Sequence, residues 1–357
     1  MDKEDAYEVC WWRREDGRHR NNFIKIYGFI KYGKKFIFII IKFILEIGKN
    51  KEAEMSQAKV KVLMSAYNGE KYIAQQIDSI LGQTYENIEI YVRDDGSKDN
   101  TLKVLEPYVE KNQIHLEKGE NVGFVNSFLW LVANSGEADY YAFSDQDDVW
   151  FENKIEMALE RLENTPKDKP VLYFSNYDYY DGDLNFMAHR DGKTPKMGFR
   201  NSLVDCVSLG FNSVFNKTAR DIVAADVPKK CTGHDWWMYM ICAGMGEVIY
   251  DERPTTKYRR HANNVSDGGD SFIKFQIWRF KRFFLNHYFH HIHEQIKEYE
   301  VLYKERLSVE DQKTLAMFTK DGFHPLLALK KTFYPKYFRQ GIVDEIFIRI
   351  IFLIGRL

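Results

Sequence analysis

From residue 58 onward, apolar and polar positions alternate between two periods. AKVKVLMS (58–65) has the apolar content of a strand, and EKYIAQQIDSILGQ (70–83) sets Ile73, Ile77 and Leu81 at i, i+4, i+8. That spacing, with Tyr72 and Ile80 alongside, predicts one face of a helix. NIEIYVR (87–93) predicts a strand again, followed by a helix capped by Asp99 or Asn100, carrying Leu102 and Leu105 and limited by Pro107. QIHLEK predicts a short strand, GFVNSFLWLVANS a helix, and DYYAFS (139–144) a strand. WFENKIEMALERLEN predicts an amphipathic helix with Trp150, Ile155, Leu159 and Leu162 on one side, and VLYFSNYDYY a further strand. Strands separated by helices predict an α/β fold with a mostly parallel sheet flanked by helices.

The rhythm stops near residue 268. SFIKFQIWRFKRFFLNHYFHHIHEQIKEYEVLYKERL reads as a long helix and DQKTLAMFTK as another, while DEIFIRIIFLIGRL forms an apolar, basic tail. The expected organisation is an N-terminal basic and apolar extension (1–55), an α/β domain (56–268) and a C-terminal helical appendage (269–357). Within 23–47 the longest apolar run, Phe36–Ile41, is broken by Lys42. A membrane span needs about 20 mostly apolar residues, so an interfacial segment is the better expectation, and a third reading starts the functional chain near Met55.

The chain has 357 residues, with 51 Lys+Arg against 52 Asp+Glu, and its net charge of -1 does not advertise nucleic-acid binding. The charge is uneven: residues 271–357 hold 15 Lys/Arg against 9 Asp/Glu. Cys10, Cys206, Cys231 and Cys242 form no CxxC pair, so a zinc knuckle is not expected, and free thiols in a reducing cytoplasm are. His287, His290, His291 and His293 lie in an aromatic helix pattern that is read as packing, not zinc binding.

In open α/β sheets ligands bind beyond the carboxyl ends of strands. Three polar clusters fall there: Ser65-Ala66-Tyr67-Asn68-Gly69-Glu70, Arg93-Asp94-Asp95-Gly96-Ser97 and Asp145-Gln146-Asp147-Asp148. Each alone is a respectable turn and helix cap; the fold would bring all three to one rim. There is no GxxxxGK[ST] loop, Gly244-Met245-Gly246 lacks a third glycine, and Trp150 stands where a calcium loop after Asp145 needs glycine. Clustered carboxylates at such a rim point to hexacoordinate Mg²⁺ or Mn²⁺ with open positions for phosphates.

MSAYNGEKYIAQQIDSILGQTYENIEIYVRDDGSKDNT, NVGF, YYAFSDQDDVWFENK and GHDWW together resemble the family 2 inverting glycosyltransferases of GT-A fold. With LGFNSVFN (209–216) and YRRHANNVS (258–266), the likeness is greatest to bacterial rhamnosyltransferases that build cell-wall or O-antigen polysaccharide, over roughly 58–266. The resemblance implies a nucleotide-diphosphate-sugar donor with Ala66, Tyr67, Asn68, Glu70, Arg93, Asp95 and Asp145 lining its nucleotide pocket. Asp145 and Asp147 would be the DxD pair holding Mg²⁺ or Mn²⁺, with His261 as a third ligand or a diphosphate contact. Arg259 or Arg260 would help hold the diphosphate. Asp235 would be the base that takes the acceptor proton, although His234 stands where the family usually carries an acid. Its structural alternative is a cap for the helix DWWMYMICA. Trp236 and Trp237 are candidates for an acceptor platform or for core.

The expected donor is dTDP-L-rhamnose and the expected acceptor a polysaccharide or lipid-linked saccharide. A transferase using another nucleotide sugar such as a UDP-hexose, and a non-catalytic nucleotide-sugar-binding protein, remain as alternatives. The basic, apolar C-terminal region adds an expected cytoplasmic location, peripheral on the inner face of the cytoplasmic membrane.

Overall fold

The computed structural model describes residues 58–191, 193–261 and 288–357, and the backbone of 7–15 and 18–26. The chain forms two compact units, Met1–Met55 and Ser56–Leu357. In the first, β1 (Tyr7–Glu15) and β2 (Arg18–Ile26) pair antiparallel, with Tyr7 opposite Ile26 and Glu15 opposite Arg18. Residues 27–47 of the basic apolar segment, and FQIWRFKRFF (275–284), lie outside the described residues.

The second unit begins with β3 (Val60–Ala66), α1 (Ile73–Leu81), β4 (Ile88–Asp94), α2 (Thr101–Glu110), β5 (His115–Lys118), α3 (Phe124–Asn134) and β6 (Tyr140–Ser144). A two-residue strand β7 (Val149–Trp150), α4 (Lys154–Leu162), β8 (Val171–Tyr180) and β9 (Phe186–His189) follow. Next come α5 (Phe199–Ser202), a 3₁₀ turn (Gly210–Asn212), β10 (Ser213–Asn216), α6 (Lys217–Ala225), α7 (His234–Met245) and β11 (Glu247–Arg259). Among the described residues, four C-terminal helices follow: α8 (Tyr288–Tyr303), α9 (Val309–Leu315), α10 (Pro325–Thr332) and α11 (Ile342–Leu353).

The nine-stranded sheet runs β5-β4-β3-β6-β10-β8-β11-β7, with β9 paired to β8. β3, β4, β5 and β6 are mutually parallel, and β8 is parallel to β11. β10 is inserted antiparallel between β6 and β8. Six of the nine strands therefore point the same way, and their carboxyl ends share one rim. This is the expected α/β architecture, with β10 a strand too short for hydrophobic period alone to define.

The helix faces differ from expectation in three places. α1 buries Ile73, Ile77 and Ile80, leaving Leu81 exposed. α2 continues past Pro107 to Glu110. α4 begins only at Lys154, because Trp150 is taken by β7, which pairs with Thr256 and Lys257 of β11.

Two apolar clusters flank the sheet. One holds Val60, Val62, Ile73, Ile77, Leu105 and Leu159. The other joins Phe128, Phe143 and Trp237 to Tyr299, Tyr303, Phe318 and Phe352. The C-terminal helices thus share a core with the sheet. α8 supplies Tyr299, with no exposed surface, and its hydroxyl donates to the Met240 carbonyl at 3.1 Å. A fully buried side chain of this size contributes about 1.5–3 kcal/mol, so α8 is held as firmly as a sheet-covering helix.

Candidate active site

At the end of β3 the chain turns through Asn68, which adopts φ 49°, a left-handed conformation that Asn tolerates. The loops at the rim then bond to one another. Asn68 N–H donates to Ser97 Oγ at 2.9 Å and Asn68 Oδ1 accepts from Lys98 N–H at 2.8 Å. Glu70 Oε2 accepts from the backbone N–H and the side-chain amide of Asn100, both at 2.8 Å. Gln146 clasps Tyr67 on both sides: its Oε1 accepts from Tyr67 N–H at 2.9 Å and its Nε2 donates to Tyr67 O at 3.0 Å. The amide lies so close over Gly69 that a Cβ there would collide with Oε1. Tyr67 itself keeps 42% of its surface exposed on the rim, while Ala66 is buried.

Arg93 and Asp95 are nearly sealed. Asp95 pairs with Arg93 and accepts from Val122 N–H at 3.0 Å and Gly123 N–H at 2.9 Å. Arg93 also donates to Ser127 Oγ at 3.1 Å and Glu120 O at 3.0 Å. The pair orders the 119–123 loop that borders the rim.

Beyond β6, Asp145, Asp147 and Asp148 each place a carboxylate oxygen within 4.8 Å of the others'. Among the described residues this is the group of acidic, His or Cys side chains able to hold a metal ion. Burial raises the Asp145 carboxyl well above the ordinary carboxylate range, helped by the charges of Asp147 and Asp235. Burial likewise raises Asp148, with Asp147 and Asp145 adding to it. Asp148 has no exposed surface; its Oδ1 accepts from Arg259 N–H at 3.0 Å, and its Oδ2 has no hydrogen-bond partner. Mutual repulsion plus an orphaned buried oxygen is what a divalent cation relieves. The residues present therefore fit Mg²⁺ or Mn²⁺.

Asp148 is the third carboxylate of that group, and His261 adjoins it: its Nε2 lies 2.8 Å from Asp147 Oδ2 and its ring packs on Tyr72 at 4.9 Å. Arg259 corrects an expectation. Its guanidinium, 1% exposed, donates to Asp147 O at 2.8 Å, Gly182 O at 2.8 Å and Gln75 Oε1 at 2.7 Å. It fastens the carboxylate loop to β11; Arg260 is the exposed one.

Lys154 is a residue that pattern reading missed. Its ammonium is fully buried, donates to Phe211 O at 2.6 Å and Thr256 Oγ1 at 2.9 Å, and sits over the Trp150 ring at 4.2 Å. Burial lowers it to about 7, against the raising pull of Asp148 and Asp145. A lysine at the first position of an amphipathic helix reads as solvated; only the fold brings it under the carboxylates.

Asp235 lies in the first turn of α7, whose N-cap is Gly233, so Asp235 is not the cap. Its Oδ2 accepts from Gly210 N–H at 3.1 Å and its Oδ1 from Trp236 N–H at 2.8 Å. It remains partly exposed and close enough to raise Asp145 electrostatically. His234 is buried beneath it, stacked on Phe128 at 3.9 Å, with neither ring nitrogen hydrogen-bonded. Burial lowers the His234 imidazole to about 4, so it is neutral. The acceptor platform fails: Trp236 is 7% exposed and donates through Nε1 to Ser202 O at 2.6 Å, and Trp237 has no exposed surface. Both rings belong to the core.

Comparisons with known proteins identify the family. The family model described as glycosyl transferase family 2 matches residues 61–228. An uncharacterized glycosyltransferase of Haemophilus influenzae is 42% identical over 226 residues, covering 58% of this chain and 67% of its own. A dTDP-rhamnosyl transferase, RfbG of Shigella flexneri, is 28% identical over 234 residues, covering 58% of this chain and 75% of its own. Against several further curated relatives the chain spans 42% or less of their length. Among solved structures, a mannosyltransferase of Pyrobaculum calidifontis in complex with GDP-Man and Mn²⁺ aligns with a TM-score of 0.49 at 17% identity, over 84% of this chain and 86% of its own. The chain belongs to glycosyl transferase family 2 and is a glycosyltransferase.

Proposed function

We propose that the protein is a metal-dependent inverting glycosyltransferase that moves L-rhamnose from dTDP-L-rhamnose to a polysaccharide or lipid-linked saccharide. The observation that carries the reading is the convergence of Asp145, Asp147 and Asp148 on one point of the rim, with Asp235 within electrostatic reach. The choice of donor rests on the likeness to the Shigella protein alone. Tyr67 and Asn68, with Glu70 bracing their loop, border the nucleotide, and the Arg93–Asp95 pair shapes the wall behind it. Asp145, Asp147 and Asp148 would hold Mg²⁺ or Mn²⁺, which would supply positive charge against that of the diphosphate.

On the acceptor side, Asp235 takes the proton of the attacking hydroxyl. The acceptor oxygen bonds to the anomeric carbon as the bond from that carbon to the diphosphate oxygen breaks, and the nucleoside diphosphate leaves with the electron pair. Gly210 N–H and Trp236 N–H fix the carboxylate but leave it room to accept that proton. Neutral His234 beneath it adds no competing positive charge.

We place the enzyme in the cytoplasm, in peripheral contact with the inner face of the cytoplasmic membrane. The basic excess of residues 271–357 supports this. Among the described residues no helix is long and apolar enough to cross a membrane.

The deciding experiment is calorimetric titration of a panel of nucleotide sugars with and without Mn²⁺, followed by transfer assays. The expected result is metal-dependent binding of dTDP-L-rhamnose. Tight binding of a UDP-hexose with none of dTDP-L-rhamnose overturns the rhamnosyl reading, and binding without transfer or hydrolysis makes the protein a sugar-nucleotide binder.

A further inference from the structure

Far along the chain from the rim residues, a cavity of about 230 Å³ opens among the C-terminal helices. Its lining includes Lys320, Lys331 and Arg356, together with His290, His293 and His324. The volume is below the ~300–1,000 Å³ of cavities that enclose a drug-sized ligand, so it suits a headgroup. Lys331 is its deepest cation, only 6% exposed, with its ammonium above the rings of Phe318 at 5.2 Å and Phe352 at 5.6 Å. It donates to the Leu357 carbonyl. Burial alone lowers this ammonium to about 8. Asp321, between the lining residues Lys320 and Gly322, is largely exposed and is shared by Lys297 at 2.9 Å and His293 at 3.3 Å. Buried positive charge is costly unless it is paired, and Lys320, Lys331 and Arg356 together bring more positive charge to the cavity than the Leu357 oxygen on Lys331 meets.

The helices that line this cavity also carry apolar surface into solvent. On α11, Ile348, Ile351 and Phe352 are buried, while Ile342, Ile346, Ile350 and Leu353 form an exposed stripe on the other face. α10, which packs against α11 through Thr332 and Arg349, exposes Leu326 and Phe333 at 85% and 75%. Phe323, at the cavity wall, is also exposed. Residues 322–357 hold 6 Lys/Arg against 2 Asp/Glu. Apolar stripes ending at a cationic cavity match the two ends of an anionic lipid.

We propose that the cavity beneath α10 and α11 binds the phosphate of an anionic membrane lipid, with the exposed stripes of the two helices seated in the interface. Lys331 and Lys320 meet the phosphate, and the stripes meet the acyl region. This rests on the peripheral-contact reading above and gives it a place on the molecule.

The test is flotation of the full chain with phosphatidylcholine vesicles and with vesicles of phosphatidylcholine and phosphatidylglycerol. The unmodified chain should float with the anionic vesicles. Ile346→Glu with Leu353→Glu, and separately Lys331→Met, should each weaken that binding at least about tenfold. Circular dichroism checks folding, and should Lys331→Met fail to fold, exposed Lys320→Glu carries the cavity arm. Variants that float like the unmodified chain overturn the proposal but leave peripheral contact standing through another segment; no flotation at all overturns both. Stabilisation by inorganic phosphate that Lys331→Met abolishes, without vesicle binding, makes this a site for free phosphate and overturns the lipid claim. A stripe variant that turns a dimer into a monomer without changing flotation makes the face a contact between copies.

Discussion

Between Val60 and Leu162, polar groups are ordered by short loops that bond to one another across the ends of parallel strands. Between Tyr288 and Leu353, order comes from apolar helix faces packed into the sheet's own core, and the polar groups that matter are second in line. Gln146 on Tyr67 and Glu70 on Asn100 are loop-to-loop bonds. Gln295 and Glu298 of α8 instead reach back to residues 229–232, the approach to the Asp235 turn. In the proposed scheme the rim supplies the chemical groups and the helices set where one of them stands. The largest test of this division removes a group from the rim. Asp147→Ala is expected to abolish transfer and Mn²⁺-dependent donor binding, read by calorimetry, and chelator should do the same to the unmodified enzyme with Mg²⁺ or Mn²⁺ restoring it. Full activity of verified metal-free protein would remove the metal from the scheme.

Asp235 is where the two regions meet. Asp235→Asn keeps an oxygen to accept from Gly210 but cannot take a proton, so transfer should fall by ~10²–10⁴-fold while donor affinity stays unchanged. A normal rate would leave Asp235 as a tie between α7 and the 210–212 turn.

The rim was legible in the sequence because its signals are local. A strand ending in Asp-x-Asp, or in Asn-Gly, declares both its position and its turn chemistry within a few residues. What escaped depends on partners distant in the chain. Arg259 is consumed by contacts to Gln75, Asp147 and Gly182, which no window of sequence contains. Lys154 looks like a helix-surface lysine until the 210–212 turn and β11 close over it. Trp236 and Trp237 carry no mark separating platform from core; burial under α5 and α8 decides it. Of the C-terminal helices, α8 and α9 were visible as helix signals, α11 read only as an apolar tail and α10 was not read at all; their shared core with the sheet was not visible either, since aromatic periodicity names a face and not what covers it.

His234 offers a test of the core under the Asp235 turn. Its imidazole is lowered from 6.5 to about 4 by burial. The unfolded chain therefore binds a proton that the folded chain refuses between those values, and this contribution to stability, complete above pH 6.5, is lost as pH falls toward 4. The loss amounts to up to ~3 kcal/mol. Urea unfolding across this range should show His234→Leu losing less stability on acidification than the unmodified protein. Parallel pH curves for the two would mean that His234 titrates as freely in the fold as out of it.

The smallest expected effect separates an appended helix from a working one. Gln295 has no exposed surface, and its Oε1 accepts from Thr232 N–H at 2.8 Å and Thr232 Oγ1 at 2.6 Å. Thr232 stands three residues before Asp235. Gln295→Ala leaves those donors unsatisfied in a partly buried place, which costs about 1–3 kcal/mol. Part of that cost is avoided if the 229–233 loop relaxes, and relaxation moves the turn that holds Asp235. The rate of transfer should then fall by less than about tenfold, with donor affinity untouched, because no rim contact is altered. Exposed Lys313→Ala on α9 serves as the control and should change neither quantity. If Gln295→Ala loses stability but keeps its full rate, α8 holds the fold together without setting the base, and the two regions are independent.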